Sequence, residues 1–242
     1  MVHGQFKEEC ISGLGELFQT ISRTKGEATI QSCLRHLVDL PDVKANGITL
    51  PKLDFYLLPE CLHNPTNLSA YITFLESRNA CRVPHVIIML KLYGYVQCIE
   101  VKYVYKVVGN LLGQIGGGPT SGDLYDSSLS ASKCFDDIRG RHERIKSSSG
   151  QVFPIVDLWS RFLDLSLRNA VGHSDFIIHH ESRIILIPSY ALEGVFRSKK
   201  SRTRKSIYKF SEIDNLYSMA NDFHEAFKQV IQEHGVRLGP RY

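Results

Sequence analysis

The chain has 242 residues, of which 43% are apolar and 22% are charged. These values are ordinary for a globular protein, and the length is sufficient to bury a core without disulfide or metal cross-links. The formal charge of +4 and the pI near 8.7 do not by themselves favour any class of partner.

Six cysteines are distributed singly, with no Cys-x-x-Cys pair and no histidine at zinc-finger spacing. This pattern argues against a zinc ribbon and a disulfide framework, and it predicts reduced thiols. The N-terminus shows no signal-peptide pattern, and charged residues interrupt the most apolar stretch, which lies between residues 84 and 112. We therefore expect a cytoplasmic protein with no membrane span, no metal and no other cofactor.

The N-terminal residues place apolar side chains at helical spacing over 5–22 and 27–38, which predicts two amphipathic helices. Between Pro41 and Pro65 prolines and turn residues break the pattern, so we expect irregular structure with one short strand at LDFYLL. We assign residues 1–65 to an N-terminal region packed on the core and 66–242 to the main domain. One continuous domain is the alternative.

Thr66 or Asn67 is a candidate N-cap for a helix through LSAYITFLESR, and Pro84 is suited to open the long apolar helix that follows. The stretch GQIGGGPTSGD, residues 113–123, should end that helix. It lacks the Gly-Lys-Ser/Thr ending of a phosphate-binding loop and follows no β-branched strand, which favours a flexible linker.

The C-terminal half predicts a helix over 124–146, a core helix over 154–166, and a small β-hairpin from DFIIHH and RIILIP around Glu181 and Ser182. A final helix is expected from an N-cap at Ser211 to Gly235. The predicted fold is therefore mainly α, with one small hairpin.

Three polar residues, Arg168, Asn169 and His173, arrive together at the end of an otherwise apolar helical stretch. Asn169 and His173 are four residues apart and share a helix face, with Arg168 on its flank. Asp164, one turn before Arg168, could hold the guanidinium in a purely structural role. Alternatively, the imidazole can exchange protons near neutral pH while the arginine binds phosphate oxygens.

The run RNAVGH at residues 168–173 resembles the R-x(4–6)-H signature of the HEPN superfamily, with a polar residue directly after the arginine. The resemblance covers residues 150–235, including the hairpin and the final helix, whereas the earlier helices agree only in class. It implies a HEPN-like helical bundle that dimerises so that the two motif helices meet. Many members of the superfamily are metal-independent endoribonucleases.

The resemblance also implies roles for the motif residues in cleavage of RNA by its own 2′-hydroxyl. His173 would be the acid-base residue, Arg168 would hold the phosphate, and Asn169 would orient the imidazole or the substrate. A two-fold pair of chains would place two such sets around one cleft. A toxin or antiviral-defence effector, with a cognate inhibitor or sensor protein, is the corresponding biological expectation.

The segment KKSRTRK, residues 199–205, holds five cations and no acid. It is a candidate contact for the RNA backbone, and a solvated loop is the alternative. The five candidate substrate-binding residues are Lys199, Lys200, Arg202, Arg204 and Lys205.

Other interpretations stay open from the sequence. A second arginine-histidine spacing, Arg78-Asn79 to His85, is interrupted by Pro84, so its ends should lie on different segments. The chain could be a non-catalytic HEPN module that binds nucleotide, RNA or a partner protein. It could also be an unrelated helical interaction protein in which Arg168 and His173 are structural.

Overall fold

The computed structural model describes residues 4–38, 43–45, 48–50, 72, 84–117, 130–191 and 205–235. The described chain is mainly helical with a small antiparallel sheet, so the predicted fold class is confirmed. Its helices are α1 (Gln5–Lys25), α2 (Glu27–Val38), α3 (Pro84–Glu100), α4 (Lys102–Ile115), α5 (Ala131–Ser149), α6 (Pro154–Ser160), α7 (Leu165–Gly172) and α8 (Phe210–Glu233). Its strands are β1 (Val43–Ala45), β2 (Ile48–Leu50), β3 (Ile177–His179), β4 (Ile184–Leu186) and β5 (Ile207–Lys209).

The chain divides into two compact units, and neither is a continuous stretch. Unit 1 comprises Met1–Asn64, Glu100–Arg161 and Asp222–Tyr242. Unit 2 comprises Pro65–Ile99 and Phe162–Asn221. The division into residues 1–65 and 66–242 stays a prediction.

Unit 1 is a set of packed helices in which α1 contacts α2, α4 and α6, and α5 packs along α4. The predicted N-terminal helices are confirmed, because α1 buries one apolar face and α2 follows directly after Gly26. Trp159 lies at the centre of the aromatic core, with its ring centroid 4.5 Å from that of Tyr105 and 4.9 Å from that of Phe223. The side chains that α1 buries are Phe6, Cys10, Leu14, Leu17, Phe18 and Ile21.

Unit 2 contains the three-stranded sheet, in the order β3, β4, β5. The predicted hairpin is confirmed, with Glu181 and Ser182 in its turn. β5, which the sequence did not predict, adds to β4 in antiparallel register. One cross-strand row consists of Ile177, Leu186 and Ile207, and the alternate row through Ile185 and Tyr208 is buried.

Several predicted boundaries were wrong. Within the stretch expected to be irregular, β1 and β2 form an antiparallel pair, whereas LDFYLL lies outside the described residues. The long helix after Pro84 is interrupted at Val101, because α3 ends at Glu100 and α4 begins at Lys102. The helix expected from residue 124 is described from Ala131, where the Ser130 hydroxyl caps it, to Ser149.

The last helix begins two residues earlier than predicted, so Ser211 lies inside its first turn and is not the N-cap. β5 runs directly into α8, and the Lys209 backbone N–H donates to the Glu212 carboxylate at 2.8 Å. A glutamate in the first turn thus satisfies the N–H of the residue before the helix, as in one half of a capping box. The helix expected after Thr66 or Asn67 lies outside the described residues.

None of the helices in the described part of the chain is both long and apolar enough to cross a bilayer.

Candidate functional site

The predicted core helix over 154–166 is broken, and the motif residues belong to a separate helix, α7. Asp164 forms the break: its backbone is extended, and its Oδ1 accepts a hydrogen bond from the Leu167 N–H at 2.9 Å. This is the N-cap arrangement, which stabilises a helix start by about 1 kcal/mol. A capping aspartate therefore sets where the motif helix begins.

Two tyrosines fix this start from other parts of unit 2. The Tyr95 hydroxyl accepts the Asp164 N–H at 2.8 Å and donates to the Phe162 carbonyl at 2.7 Å. The Tyr208 hydroxyl, from β5, donates to Oδ2 of Asp164 at 2.8 Å. Burial, reinforced by the Asp164 charge, raises the pKa of Tyr208 well above its usual range, so this hydroxyl stays a donor.

Both carboxylate oxygens of Asp164 therefore accept hydrogen bonds that organise α7. The sequence suggested that Asp164 could hold the Arg168 guanidinium, but neither of these two hydrogen bonds involves Arg168. One contact of the guanidinium is to the next residue, because Arg168 Nη1 donates to Asn169 Oδ1 at 2.8 Å. The arginine and the amide of the motif are thus joined directly.

The other end of α7 closes in a Schellman motif. The Ser174 N–H donates to the Val171 carbonyl at 3.0 Å, and the Asp175 N–H donates to the Ala170 carbonyl at 2.8 Å. Ser174 has a φ of 55°, the left-handed conformation that this motif requires. His173 is the C-cap, one residue past the helix, and its N–H still bonds the Asn169 carbonyl at 3.0 Å.

Arg168 and Asn169 lie in the middle of α7, and His173 is its C-cap. Leu167, Ala170 and Val171 are buried, whereas Asn169 and His173 are exposed and Arg168 is half-buried. An exposed imidazole and a partly exposed guanidinium on one short element can both meet a bound phosphodiester. Among the described residues, no group of three or more His, Cys, Asp or Glu side chains is placed to hold a metal ion.

Of the five predicted substrate-binding cations, the structure describes Lys205 alone. Its Nζ lies 2.5 Å from Glu212 Oε1 and 4.5 Å from the ring centroid of Tyr208. These contacts hold the pKa of Glu212 below its ordinary value, first through the Lys205 hydrogen bond and then through the Lys209 N–H. Lys205 therefore already has an ion-pair partner within unit 2.

The other candidates lie outside the described residues. These are Lys199, Lys200, Arg202 and Arg204 of the basic segment, and Arg78 and Asn79 of the second arginine-histidine spacing. His85 belongs to α3, which begins at Pro84, so the proline stands at a helix start as expected. The described cysteines, Cys10, Cys33, Cys98 and Cys134, are buried and form no disulfide with one another.

Sequence reasoning missed the positioning residues of the site. The sequence did offer a local indication for Asp164, because aspartate is a preferred N-cap residue whose side chain accepts the N–H three residues later. No local pattern indicates the roles of Tyr95 and Tyr208, because they lie 69 and 44 residues from Asp164 along the chain.

Comparison with known proteins adds no family assignment: no family model, no curated protein and no solved structure matches this chain.

Proposed function

We propose that this protein is a metal-independent endoribonuclease of the HEPN type that acts as a homodimer. The observation that carries the proposal is the exposure of Asn169 and His173, beside a half-buried Arg168, on one short helix and its C-cap. Capping at both ends of α7 supports a rigid site, which phosphate chemistry requires.

In the proposed reaction, the 2′-hydroxyl of RNA attacks the adjacent phosphorus and the 5′-oxygen of the next nucleotide leaves. His173 takes the hydroxyl proton or gives a proton to the leaving oxygen. Arg168 donates to the oxygens of the phosphorane, whose negative charge increases as the bond forms. The side-chain oxygen Oδ1 of Asn169 holds the guanidinium, and the side-chain NH₂ group of Asn169 is a donor for RNA.

The homodimer is part of this proposal because one chain supplies one motif histidine, whereas the reaction needs both a base and an acid. A two-fold axis beside α7 would bring two histidines and two arginines to one cleft. Unit 2 also carries exposed apolar side chains, Ile177 and Ile207, in one row of the sheet. Exposed apolar clusters are typical of protein contact surfaces.

The basic segment, Lys199 to Lys205, is proposed to follow the RNA backbone. Its four cations from Lys199 to Arg204 should give most of the salt dependence, because Lys205 would have to exchange its Glu212 partner for a phosphate. The slope of log Kd against log salt should therefore change less for Lys205→Ala than for Lys200→Ala. Equal slopes for wild type and Lys200→Ala would remove the segment from the RNA site.

The test is cleavage of total cellular RNA and of a defined single-stranded RNA in EDTA, with end-group analysis. We expect 2′,3′-cyclic phosphate ends, no cutting where a 2′-deoxy nucleotide replaces the attacked position, and activity reduced at least a hundredfold in His173→Ala. His180→Ala removes another exposed histidine of unit 2 and is the matched control. Folding is checked by circular dichroism.

A second function keeps the fold and removes the reaction. The same exposed surface, together with Ile177 and Ile207, would suit a non-catalytic module that binds RNA, nucleotide or a partner protein. Salt-dependent RNA binding with uncut substrate would favour it. A loss of thermal stability in Arg168→Ala, without any RNA binding in the wild type, would instead favour a structural role for the motif. The toxin or defence role, and a cognate inhibitor or sensor, belong to the nuclease proposal alone.

A further inference from the structure

Unit 1 contains a cavity of about 220 Å³ between α4 and α5. Its lining combines a leucine and two glycines at the C-terminal end of α4 with polar and cationic residues of α5. The lining residues are Leu112, Gly113, Gly116, Arg141, Arg144 and Ser148. Arg141, Arg144 and Ser148 recur at positions i, i+3 and i+7, so they lie along one face of α5.

Because Gly113 has no side chain, the Arg141 guanidinium can lie against α4. A Cβ atom at Gly113 would lie 2.7 Å from Nη1 of Arg141, closer than real contacts of this kind. Glycine within a helix is less favourable than alanine by about 1 kcal/mol. At this position the missing side chain leaves room for the guanidinium. The bare backbone of α4 admits a charged group between the two helices.

Arg141 is largely buried, with its side chain 13% exposed, yet its donors are only partly used. Nε donates to Asp137 Oδ2 at 2.7 Å, and Nη1 makes a long 3.5 Å bond to the Gly109 carbonyl. Among the described residues, Nη2 has no acceptor. Nη2 is not among the fully buried polar atoms, so it can donate to an acceptor that enters the cavity.

Arg144 supplies the second cation. It is exposed, and it makes no hydrogen bond or ion pair with any residue that the structure describes. Asp137 balances one of the two arginines, so the cavity lining retains a net positive charge. The Asp137 bond also fixes the plane of the Arg141 guanidinium, whose geometry matches phosphate oxygens.

We propose that this cavity binds a phosphate group, either as free phosphate or as the terminal phosphate of a nucleotide. The volume is below the range of about 300–1,000 Å³ typical of pockets that enclose whole organic ligands, which favours a compact anion. The proposal concerns unit 1 and does not depend on the nuclease proposed for α7.

Isothermal titration calorimetry of the full chain with inorganic phosphate, AMP and adenosine tests the proposal. We expect saturable binding of phosphate or AMP with one site per chain and no binding of adenosine. A response to phosphate alone identifies the free anion as the ligand, and tighter binding of AMP identifies the nucleotide. The proposal is wrong if neither anion binds, or if adenosine binds as tightly as AMP.

Two variants place the binding in this cavity. Arg144→Ala should weaken it on the order of tenfold, because one charged hydrogen bond is lost. Arg139→Ala is the matched control: it removes the same charge from α5, but Arg139 is 61% exposed, pairs with Asp136 and does not line the cavity. Equal weakening in both variants would show nonspecific attraction and overturn the proposal.

Gly113→Ala is the second variant. The added methyl should displace the Arg141 guanidinium and weaken phosphate binding on the order of tenfold, while the helix itself tolerates or favours alanine. The thermal midpoint separates this effect from unfolding. Unchanged phosphate affinity in both Gly113→Ala and Arg144→Ala would place any binding elsewhere and refute the assignment.

Discussion

Tyr208 donates its hydroxyl hydrogen to Oδ2 of Asp164 at 2.8 Å, and this bond joins the last strand of the sheet to the first residue of the motif helix. Tyr208 is 1% exposed and Asp164 is half-buried, so the bond is largely shielded from water. The other carboxylate oxygen of Asp164 caps α7. A single aspartate thus couples the position of the sheet to the start of the helix that carries Arg168, Asn169 and His173.

Tyr208→Phe should lower the free energy of unfolding by about 1.5–3 kcal/mol, because a buried hydrogen bond to a carboxylate is lost without a change in shape. Urea unfolding followed by circular dichroism measures it. If α7 carries the nuclease, RNA cleavage should also fall at a temperature where the variant is fully folded. Tyr93→Phe alters an exposed tyrosine and is the control. Equal stability of both variants with wild type would contradict the coupling.

The carboxylate of Glu212 should give the protein a pH-dependent contribution to stability. Its pKa is lowered in the folded state, first by the Lys205 hydrogen bond, so the contribution is present above the ordinary glutamate pKa. It is lost as pH falls through the lowered value. The thermal midpoint of wild type should exceed that of Glu212→Gln at neutral pH, and the two should converge in acid.

The matched control for Glu212 is Glu181→Gln, which changes an exposed carboxylate in the β3–β4 turn. Its thermal midpoint should follow wild type across the same pH range. A constant difference between wild type and Glu212→Gln at every pH would mean that the substitution acts through packing and not through charge.

Ser174 adopts a left-handed backbone conformation, which is unfavourable for residues with a Cβ. Ser174→Gly should therefore raise the free energy of unfolding by about 0.5–1 kcal/mol, although glycine also gains entropy in the unfolded chain. Urea unfolding measures the difference. Ser166→Gly, inside α7, should have the opposite sign because its backbone is helical. Destabilisation by both changes would contradict the Schellman ending beside His173.

The spacing of apolar residues predicted the elements well where one face of a long helix is buried along its length. α1 and α2 follow their apolar spacing, and Pro84 stands at the start of α3. The break before α7 was missed, because apolar residues continue through it and the Tyr95 hydroxyl, which accepts the Asp164 N–H there, lies 69 residues away in sequence. β5 has three residues, and its pairing with β4 is set by tertiary contact.

The candidate site shows the same division. The sequence showed the spacing of Arg168, Asn169 and His173. The structure adds that they lie on one short helix and its C-cap. The contact between Arg168 and Asn169 was not readable, because neighbouring residues on a helix do not normally face each other. The partner of Lys205 also required the structure, since it depends on β5 leading directly into α8.

Cys10 and Cys33 should react slowly with alkylating reagents in the folded protein. Burial raises the pKa of Cys33 to about 11, and burial together with the Asp222 charge raises the pKa of Cys10 to about 12. Because the thiolate is the nucleophile, only a small fraction of either thiol is ionised and able to react at pH 8, and the fraction is smaller for Cys10. The rate should rise with pH while the fold persists.

Pulsed labelling with iodoacetamide, followed by peptide mass spectrometry, measures the two cysteines separately. The same pulse on protein unfolded in guanidinium chloride gives the reference rate for each peptide. Labelling of folded protein at the unfolded rate at pH 8 would contradict the buried placement of these thiols in unit 1.

We propose that the row formed by Ile177, Leu186 and Ile207, in the described part of unit 2, contacts a second chain. Ile177 and Ile207 are 52% and 49% exposed, and they flank Leu186 across three paired strands. Burying an isoleucine side chain contributes about 1.5–3 kcal/mol, and a two-fold axis would use each residue twice. Ile177→Asp and Ile207→Asp should therefore each weaken self-association by more than about tenfold.

Sedimentation velocity over a range of concentrations measures this self-association, with Val152→Asp as control because Val152 is a similarly exposed apolar residue of unit 1. If the composite nuclease site is correct, RNA cleavage by the two isoleucine variants should fall in proportion to the dimer population and recover at high protein concentration. Cleavage by a chain that stays monomeric would show that one His173 suffices. Dimers unaffected by either substitution would place the subunit contact on another surface.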